Sequence, residues 1–373
     1  MHDGPLHIVQ VLPELNSGGV ERGTVEFSRY LIEHGHQSTV ISHGGRLVDQ
    51  LIQEGGEHVA FPVHKKSLLS LRFVKPLRKL ILSLNPDVVH VRSRLPAWLI
   101  WLAIGRLPKN KRPALVSTFH GLYSINRYSE IMGCGDKVIA ISQCVYDYIS
   151  THYPKVSSDK ISIVHRGVDQ SIFNTEYRPN NEWRQQFFND FPQCKDKPLI
   201  IMPGRITSWK GHEDFIDVMA RLKKRNVSCH GVIVGGAENT KHSYFDQIKN
   251  RVQSLGLSDM ITFVGHRSDI HNIYTQAKVV CNLSNRPEPF GRTVIEALAL
   301  GVPVVAYDSG GPAESLRACF PQGLAPYKDN ERVADIIESC LREDSILIHL
   351  PKEFTLADQA EKTLALYQQA INA

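Results

Sequence analysis

Two glutamates eight positions apart, Glu288 and Glu296, enclose the stiff turn Pro289-Phe290-Gly291. A helix beginning near Gly291 would aim unpaired backbone N–H groups at an anion. Two turns further in, Glu296 would lie near that helix's sheet-proximal edge. Carboxylates accept hydrogen bonds from sugar hydroxyls, so the segment suits a phosphate with sugars on either side, Glu288 on a hexose and Glu296 on a ribose. Two solvated surface glutamates would not require a rigid turn presenting backbone donors between them.

Three other loops carry residue types that complement this segment. Gly204 and Gly211 bracket Arg205 and Lys210 directly after the apolar run 199–202. Fixed cations at a strand end stabilise the charge developing on a departing diphosphate without calling on a metal. Solvated cations at a helix start are the bland alternative, and the bracketing glycines weigh against it. The turn Asn16-Ser17-Gly18-Gly19 lets backbone N–H groups approach a phosphate, although on this loop alone a plain tight turn fits as well. It is not G-x-G-x-x-G, and no acid closes the second strand at Ser42-His43, which counts against a dinucleotide cofactor. His120, beside Gly121 at the end of an apolar run, is placed to hydrogen-bond a sugar. His7, His90 and His230 fall within or beside strands and read as structural.

The elements that must hold these loops follow from apolar periodicity. Strands are expected at 6–12, 38–42, 59–62, 86–91, 114–119 and 137–141, with helices at 21–34, 47–54 and about 71–84. The pattern breaks over 161–169, and 175–197 reads as an irregular polar stretch. Alternation restarts with strands at 199–202, 231–234, 261–264, 279–283 and 303–307. Helices at 213–225, 244–255, 270–276 and 292–300 separate them. The amphipathic run 355–371 has no strand behind it and is expected to cross back onto the first half. Such alternation predicts an α/β chain of two parallel sheets covered on both faces, with ligands at the carboxyl ends of the strands. The expected domains are 1–167 with about 355–373, and 168–354; 373 residues exceed what one core usually supports.

Charge is unevenly spread. Residues 60–115 hold twelve Lys and Arg, from Lys65 to Arg112, against Asp87 alone. Such a stretch would attract a membrane leaflet, nucleic acid or a phosphorylated acceptor, while a solvated helix face explains it nearly as well. No stacking motif or recognition helix supports nucleic acid. The run 95–104 is about half the length that spans a bilayer and reads as a buried helix, with dipping by Trp98 and Trp101 the minor alternative. The first residues show no signal-peptide organisation, and the seven scattered cysteines form no C-x-x-C pair. A reducing cytosol is expected, with the cysteines buried as small hydrophobes and forming neither a zinc site nor a disulfide framework.

At these residues the chain resembles the retaining glycosyltransferases of family 4, which have the GT-B fold. The most specific match is Glu-x7-Glu from Glu288 to Glu296, within residues 288–306. Gly18-Gly19, His120, Gly204-Arg205 with Lys210-Gly211, Val234-Gly235-Gly236, and Gly310-Gly311 with Glu314 support it. The resemblance runs through most of the chain. It implies two Rossmann-like doubly wound domains facing across a cleft, the first binding the acceptor and the second the donor. The C-terminal helix would cross back to the first domain.

The resemblance also implies roles. Gly18 and Gly19 would approach the donor's phosphate or sugar, Arg205 and Lys210 bind the diphosphate, and Glu296 hold the ribose. Glu288, with the backbone of Phe290 and Gly291, would hold the hexose and distal phosphate, and His120 would contact that sugar. His120, Glu288, Arg205 and Lys210 form the implied catalytic set, with Gly235 and Thr293 joining the donor-binding residues. The donor would be a nucleotide-diphosphate sugar, UDP ahead of GDP or ADP, with no cofactor and no metal. A glycan or lipid-linked acceptor of bacterial lipopolysaccharide or surface polysaccharide is expected, at the inner face of the cytoplasmic membrane. Arg166 departs from the family pattern, which often has asparagine before Gly167-Val168-Asp169, and this bears on local hinge geometry. Rival expectations are a GT-B-like epimerase, for which no second acid is evident, a phosphorylase, which would need free phosphate, and a non-catalytic sugar-nucleotide-binding module. Against that module stands the intact set from Gly18 to Glu296.

Overall fold

Short runs rich in valine and isoleucine, flanked by glycine or proline, form strands buried on both faces, as parallel sheets demand. The structure, a computed structural model, describes residues 4–16, 18–236, 242–343 and 345–372. Ser17 of the glycine turn and the first three residues therefore lie outside the described residues. The chain divides into two units, Met1–Gly167 with Thr355–Ala373, and Val168–Phe354.

In the first unit, β1 (His7–Val11), β2 (Gln37–Ser42), β3 (Glu57–Ala60), β4 (Val88–Val91), β5 (Ala114–Phe119), β6 (Lys137–Ala140) and β7 (Ile161–Ile163) form one sheet. Its order is β3-β2-β1-β4-β5-β6-β7, and every pairing is parallel. The order reverses direction beside β1, so the connections after β1 and β4 diverge and leave a crevice at their carboxyl ends. Ile8, Val88, Val116 and Ile139 pack with Phe27 and Leu31 of the helix Gly19–Glu33. Ala360, Leu366, Tyr367 and Ala370 complete that core from the helix Leu356–Ile371. The terminal helix thus returns to the first unit, its start capped by Thr355 Oγ1 on Asp358 N at 3.2 Å.

The second unit repeats the plan with β8 (Leu199–Pro203), β9 (His230–Val234), β10 (Ile261–Gly265), β11 (Ala277–Asn282), β12 (Val304–Tyr307) and β13 (Leu324–Ala325). The order is β10-β9-β8-β11-β12-β13, again parallel throughout, with its reversal between β8 and β11.

The structure corrects several expectations. The polar stretch 175–197 contains the helix Asn181–Asp190: Asn180 Oδ1 accepts from Trp183 N at 2.7 Å, and Trp183 stacks on buried Phe187 one turn later. Two helices, Gly310–Cys319 and Asn330–Arg342, flank the short β13 that alternation alone did not mark. The segment before residue 74 is a 3-10 turn, Leu68–Phe73, rather than the start of the helix Val74–Leu84. The apolar run is helical over Arg94–Ile100 and continues as a π-turn through Gly105, with Leu99, Ile100, Ala103 and Ile104 buried. All seven cysteines are free; five are buried, but Cys134 and Cys144 are only half-buried.

Candidate functional site

In the second unit the switch between β8 and β11 brings the two chemically suggestive loops together. Lys210, in the loop after β8, donates to Glu288 Oε1 at 2.8 Å. Asn282, the last residue of β11, donates to the same oxygen at 3.2 Å, and Ser284 Oγ adds a short hydrogen bond. Three donors fixing one oxygen of a buried carboxylate hold its orientation and offset its charge. Trp209 supports the ammonium, whose Nζ lies 4.4 Å from the indole centre.

Backbone geometry sets this loop pair. Gly291 caps the helix Arg292–Ala299 at φ +81°, and a Cβ there would lie 2.6 Å from Pro312 Cγ. A Cβ on Gly235 would lie 1.9 Å from the Gly204 carbonyl oxygen, and Gly204 N donates to Val234 O at 2.9 Å. Gly235 therefore has a packing reason to be glycine besides any ligand. Gly311 N donates to Glu288 O at 2.9 Å, so the helix Gly310–Cys319 starts against the same loop.

The remaining expected residues are placed as follows. Glu296 is buried and its Oε1 accepts from Arg292 Nε at 2.7 Å. Thr293 is half-buried, with its Oγ1 3.5 Å from Asn282 Nδ2. Phe290 is buried, while Arg205 is exposed. Lys210 and Glu288 are thus joined directly across the loops after β8 and β11.

The first unit presents Gly18 and Gly19 exposed at the start of the Gly19–Glu33 helix. His120 follows β5, with both ring nitrogens buried and without a hydrogen-bond partner among the described residues. Burial, followed by the charges of Arg92, Arg166 and His90, holds its pKa well below the usual histidine value, so the ring is neutral. His90, in β4, is structural: its ring nitrogens meet Tyr367 Oη at 2.7 Å and Thr118 Oγ1 at 2.6 Å. His7 and His230 likewise pair with threonines, Thr39 and Thr262.

Sequence reasoning missed two arginines here. Arg92 follows β4 at the switch point, is buried, and donates to Gln10 Oε1 at 2.6 Å. Burial pushes its pKa down to about 10, which leaves it charged at neutral pH. Arg166, expected to affect only hinge geometry, instead reaches back to donate to the carbonyl of Gly19. Arg92, Arg166 and His120 border a cavity of about 20 Å³, room for one water or one ligand oxygen. Arg92 could have been found by inspecting the loop after every strand, but its place in a run of cations hid it.

That basic stretch is not one surface. Arg78 is bound to the carbonyls of Ala103 and Leu102, Arg92 is internal, and Arg112 makes a two-pronged pair with Asp136. Lys65, Lys66, Arg72, Lys75, Lys79, Lys109 and Lys111 are exposed. Among the described residues no helix is long and apolar enough to cross a membrane.

Comparison with known proteins covers both units. Residues 17–171 match the family described as Glycosyltransferase Family 4, and residues 184–358 match Glycosyl transferases group 1. A crystal structure of a glycosyltransferase from Rickettsia africae ESF-5 is 31% identical, superposes with a TM-score of 0.85, and aligns over 98% of this chain and 99% of that one. The structure of Anabaena HepE in complex with UDP shares the fold at 18% identity and a TM-score of 0.76, over 98% of this chain and 99% of its own. The lipopolysaccharide core biosynthesis mannosyltransferase LpsB of Rhizobium meliloti is 29% identical over 188 residues, 46% of this chain and 52% of that protein. With both units matched and a relative of this identity aligned nearly end to end, the chain belongs to the family 4 glycosyltransferases of the GT-B fold.

Proposed function

We propose that the protein is a retaining, metal-independent hexosyltransferase that uses a UDP-sugar and acts on a glycan or lipid-linked acceptor of a bacterial surface polysaccharide such as lipopolysaccharide. The observation that carries this is Glu288 Oε1 held by Lys210, Asn282 and Ser284 at the strand ends of the second unit. With Oε1 so engaged, Oε2 is the oxygen to accept from a hexose hydroxyl. Lys210 and Arg205 offset the charge on the diphosphate as the bond from the anomeric carbon to the distal phosphate oxygen breaks. The acceptor oxygen bonds to the same face of that carbon, and its proton passes to the leaving phosphate oxygen. Glu296 is assigned to the ribose, and Gly18, Gly19 and the neutral His120 to the transferred sugar.

HepE, a protein of the same fold described with UDP, favours uridine, and LpsB favours a lipopolysaccharide acceptor. Exposed Leu69 and Leu71 among Lys65, Lys66, Arg72 and Lys75 suit attachment to an anionic leaflet at the inner face of the cytoplasmic membrane.

The test is a panel of UDP-, GDP- and ADP-hexoses, read first by thermal shift and then by product NMR with glycan and lipid-linked acceptors. The expected product keeps the donor's anomeric configuration, and its yield is unaffected by EDTA. An isomerised nucleotide sugar beside an unchanged acceptor would establish an epimerase instead.

A further inference from the structure

The two loops of the second unit that carry Lys210 and Glu288 are also tied together at Asn285. This half-buried residue lies between the end of β11 and Glu288. Its N–H donates to Trp209 O at 2.7 Å, and its Nδ2 donates to Ser208 O at 3.2 Å. Residues 208 and 209 lead directly into Lys210, and the Trp209 ring lies under the Lys210 ammonium. Backbone and side chain of one asparagine therefore fix the approach to the cation.

Asn285 is in turn oriented from a third loop, between β13 and the helix Asn330–Arg342. Lys328 Nζ donates to Asn285 Oδ1 at 2.5 Å and to Asp214 Oδ2 at 2.6 Å, partners 43 and 114 residues away in the chain. Tyr327 Oη donates to the Asn285 carbonyl at 2.9 Å. Asp214 lies in the first turn of the helix His212–Lys224, which starts directly after Lys210 and Gly211. Its other oxygen accepts from Asn330 Nδ2 at 3.3 Å. An exposed lysine–carboxylate pair by itself contributes little. Here the Asp214 side chain is only 10% exposed, two acceptors share the ammonium, and Lys328 sits in the left-handed region at φ +65°. Residues other than glycine hold that conformation where surrounding contacts impose it, and such positions cluster at functional sites.

We propose that Lys328 and Asn285 are positioning residues of the donor site. One ammonium locks together the approach to Lys210, the helix behind it and the loop that leads to Glu288. It thereby sets where Lys210 presents its charge to the donor's distal phosphate. Both residues act through Lys210, so the inference rests on the assignment of Lys210 to the diphosphate.

UDP, GDP and ADP are titrated into the full chain by calorimetry, and the tightest is carried forward with its monophosphate, which lacks the phosphate assigned to Lys210. Lys328→Gly suits the left-handed backbone and removes only the side chain, and Asn285→Ala removes the amide. Thermal unfolding without ligand checks that each variant is folded. Each raises the Kd for the diphosphate about tenfold and leaves that for the monophosphate within about twofold. Lys328→Arg, which keeps a donor, recovers most of the diphosphate affinity. With Lys210→Ala already in place, Lys328→Gly adds less than about twofold, because the residue it positions is gone. The proposal is overturned by unchanged diphosphate affinity in either variant, by equal losses for both nucleotides, by no recovery in Lys328→Arg, or by the same loss with and without Lys210. If Lys210→Ala binds the diphosphate as the parent does, or if no diphosphate binds the parent, the assignment of Lys210 itself falls and takes this inference with it.

Discussion

Lys210 Nζ lies 2.8 Å from Glu288 Oε1, so the two charges assigned to the diphosphate and the hexose are partners of one another. Their side chains are 17% and 9% exposed, and removing one leaves the other's charge poorly compensated. Lys210→Ala and Glu288→Ala should each destabilise the protein by about 1–3 kcal/mol, while the double variant loses less than the sum. Urea unfolding of all four proteins measures the coupling; additive losses would show that the contact contributes nothing. Donor turnover should fall about 100-fold or more in either single variant, because a pre-placed charge is lost from the leaving group or the sugar.

On the proposed assignment of Glu288 to the hexose, Ser284 and Asn282 serve as positioning residues through their hydrogen bonds to its carboxylate. Ser284→Ala should lower kcat about tenfold by letting the carboxylate rotate, with UDP affinity nearly unchanged and recovery in Ser284→Thr. If Ser284→Thr is as slow as Ser284→Ala, the hydroxyl does not orient Glu288.

Local pattern carried most of the fold. The expected strand at 114–119 coincides with β5, and those at 199–202 and 303–307 differ from β8 and β12 by one residue, because a β-branched run flanked by turn residues can hardly pack otherwise. The helix Asn181–Asp190 was hidden because its apolar face rests chiefly on Trp183 and Phe187 amid polar residues. In the site, glycines and charges within one loop were legible. What joins loops was not: Gln10 on Arg92 and Arg166 on Gly19 are contacts between segments far apart in the chain, which only the fold creates. Composition also counts a cation without saying whether it is solvated. That is why a stretch containing Arg78, Arg92 and Arg112 reads as a single patch.

Arg166 joins the linker to the glycine loop. Arg166→Asn should release the Gly19 carbonyl and raise the KM for the donor about tenfold, since one charge-assisted hydrogen bond positions that loop. It also removes one of the charges that hold the His120 pKa down, so that pKa should move up toward 6.5. An NMR titration of His120 that is identical in both proteins would separate Arg166 from the histidine altogether.

Buried neutral imidazoles give the protein an acid sensitivity whose sign is fixed. Burial first, and then the charge of a nearby lysine, lowers the pKa of His212 and of His230 from 6.5 to about 4. His90 and His120 shift the same way, again mainly through burial. Below pH 6.5 the unfolded chain takes up protons that the folded chain refuses, so this part of the stability is fully present above 6.5 and is lost as pH falls toward 4. From pH 7 to pH 5 the loss is roughly 2 kcal/mol for each of His212 and His230. Urea midpoints at the two pH values measure it, and His230→Gln, whose amide can still meet Thr262, should flatten the dependence by one histidine's share. A slope unchanged by that substitution would mean that His230 is charged or solvated in the folded protein, against its complete burial at the start of β9, the strand between β8 and β10.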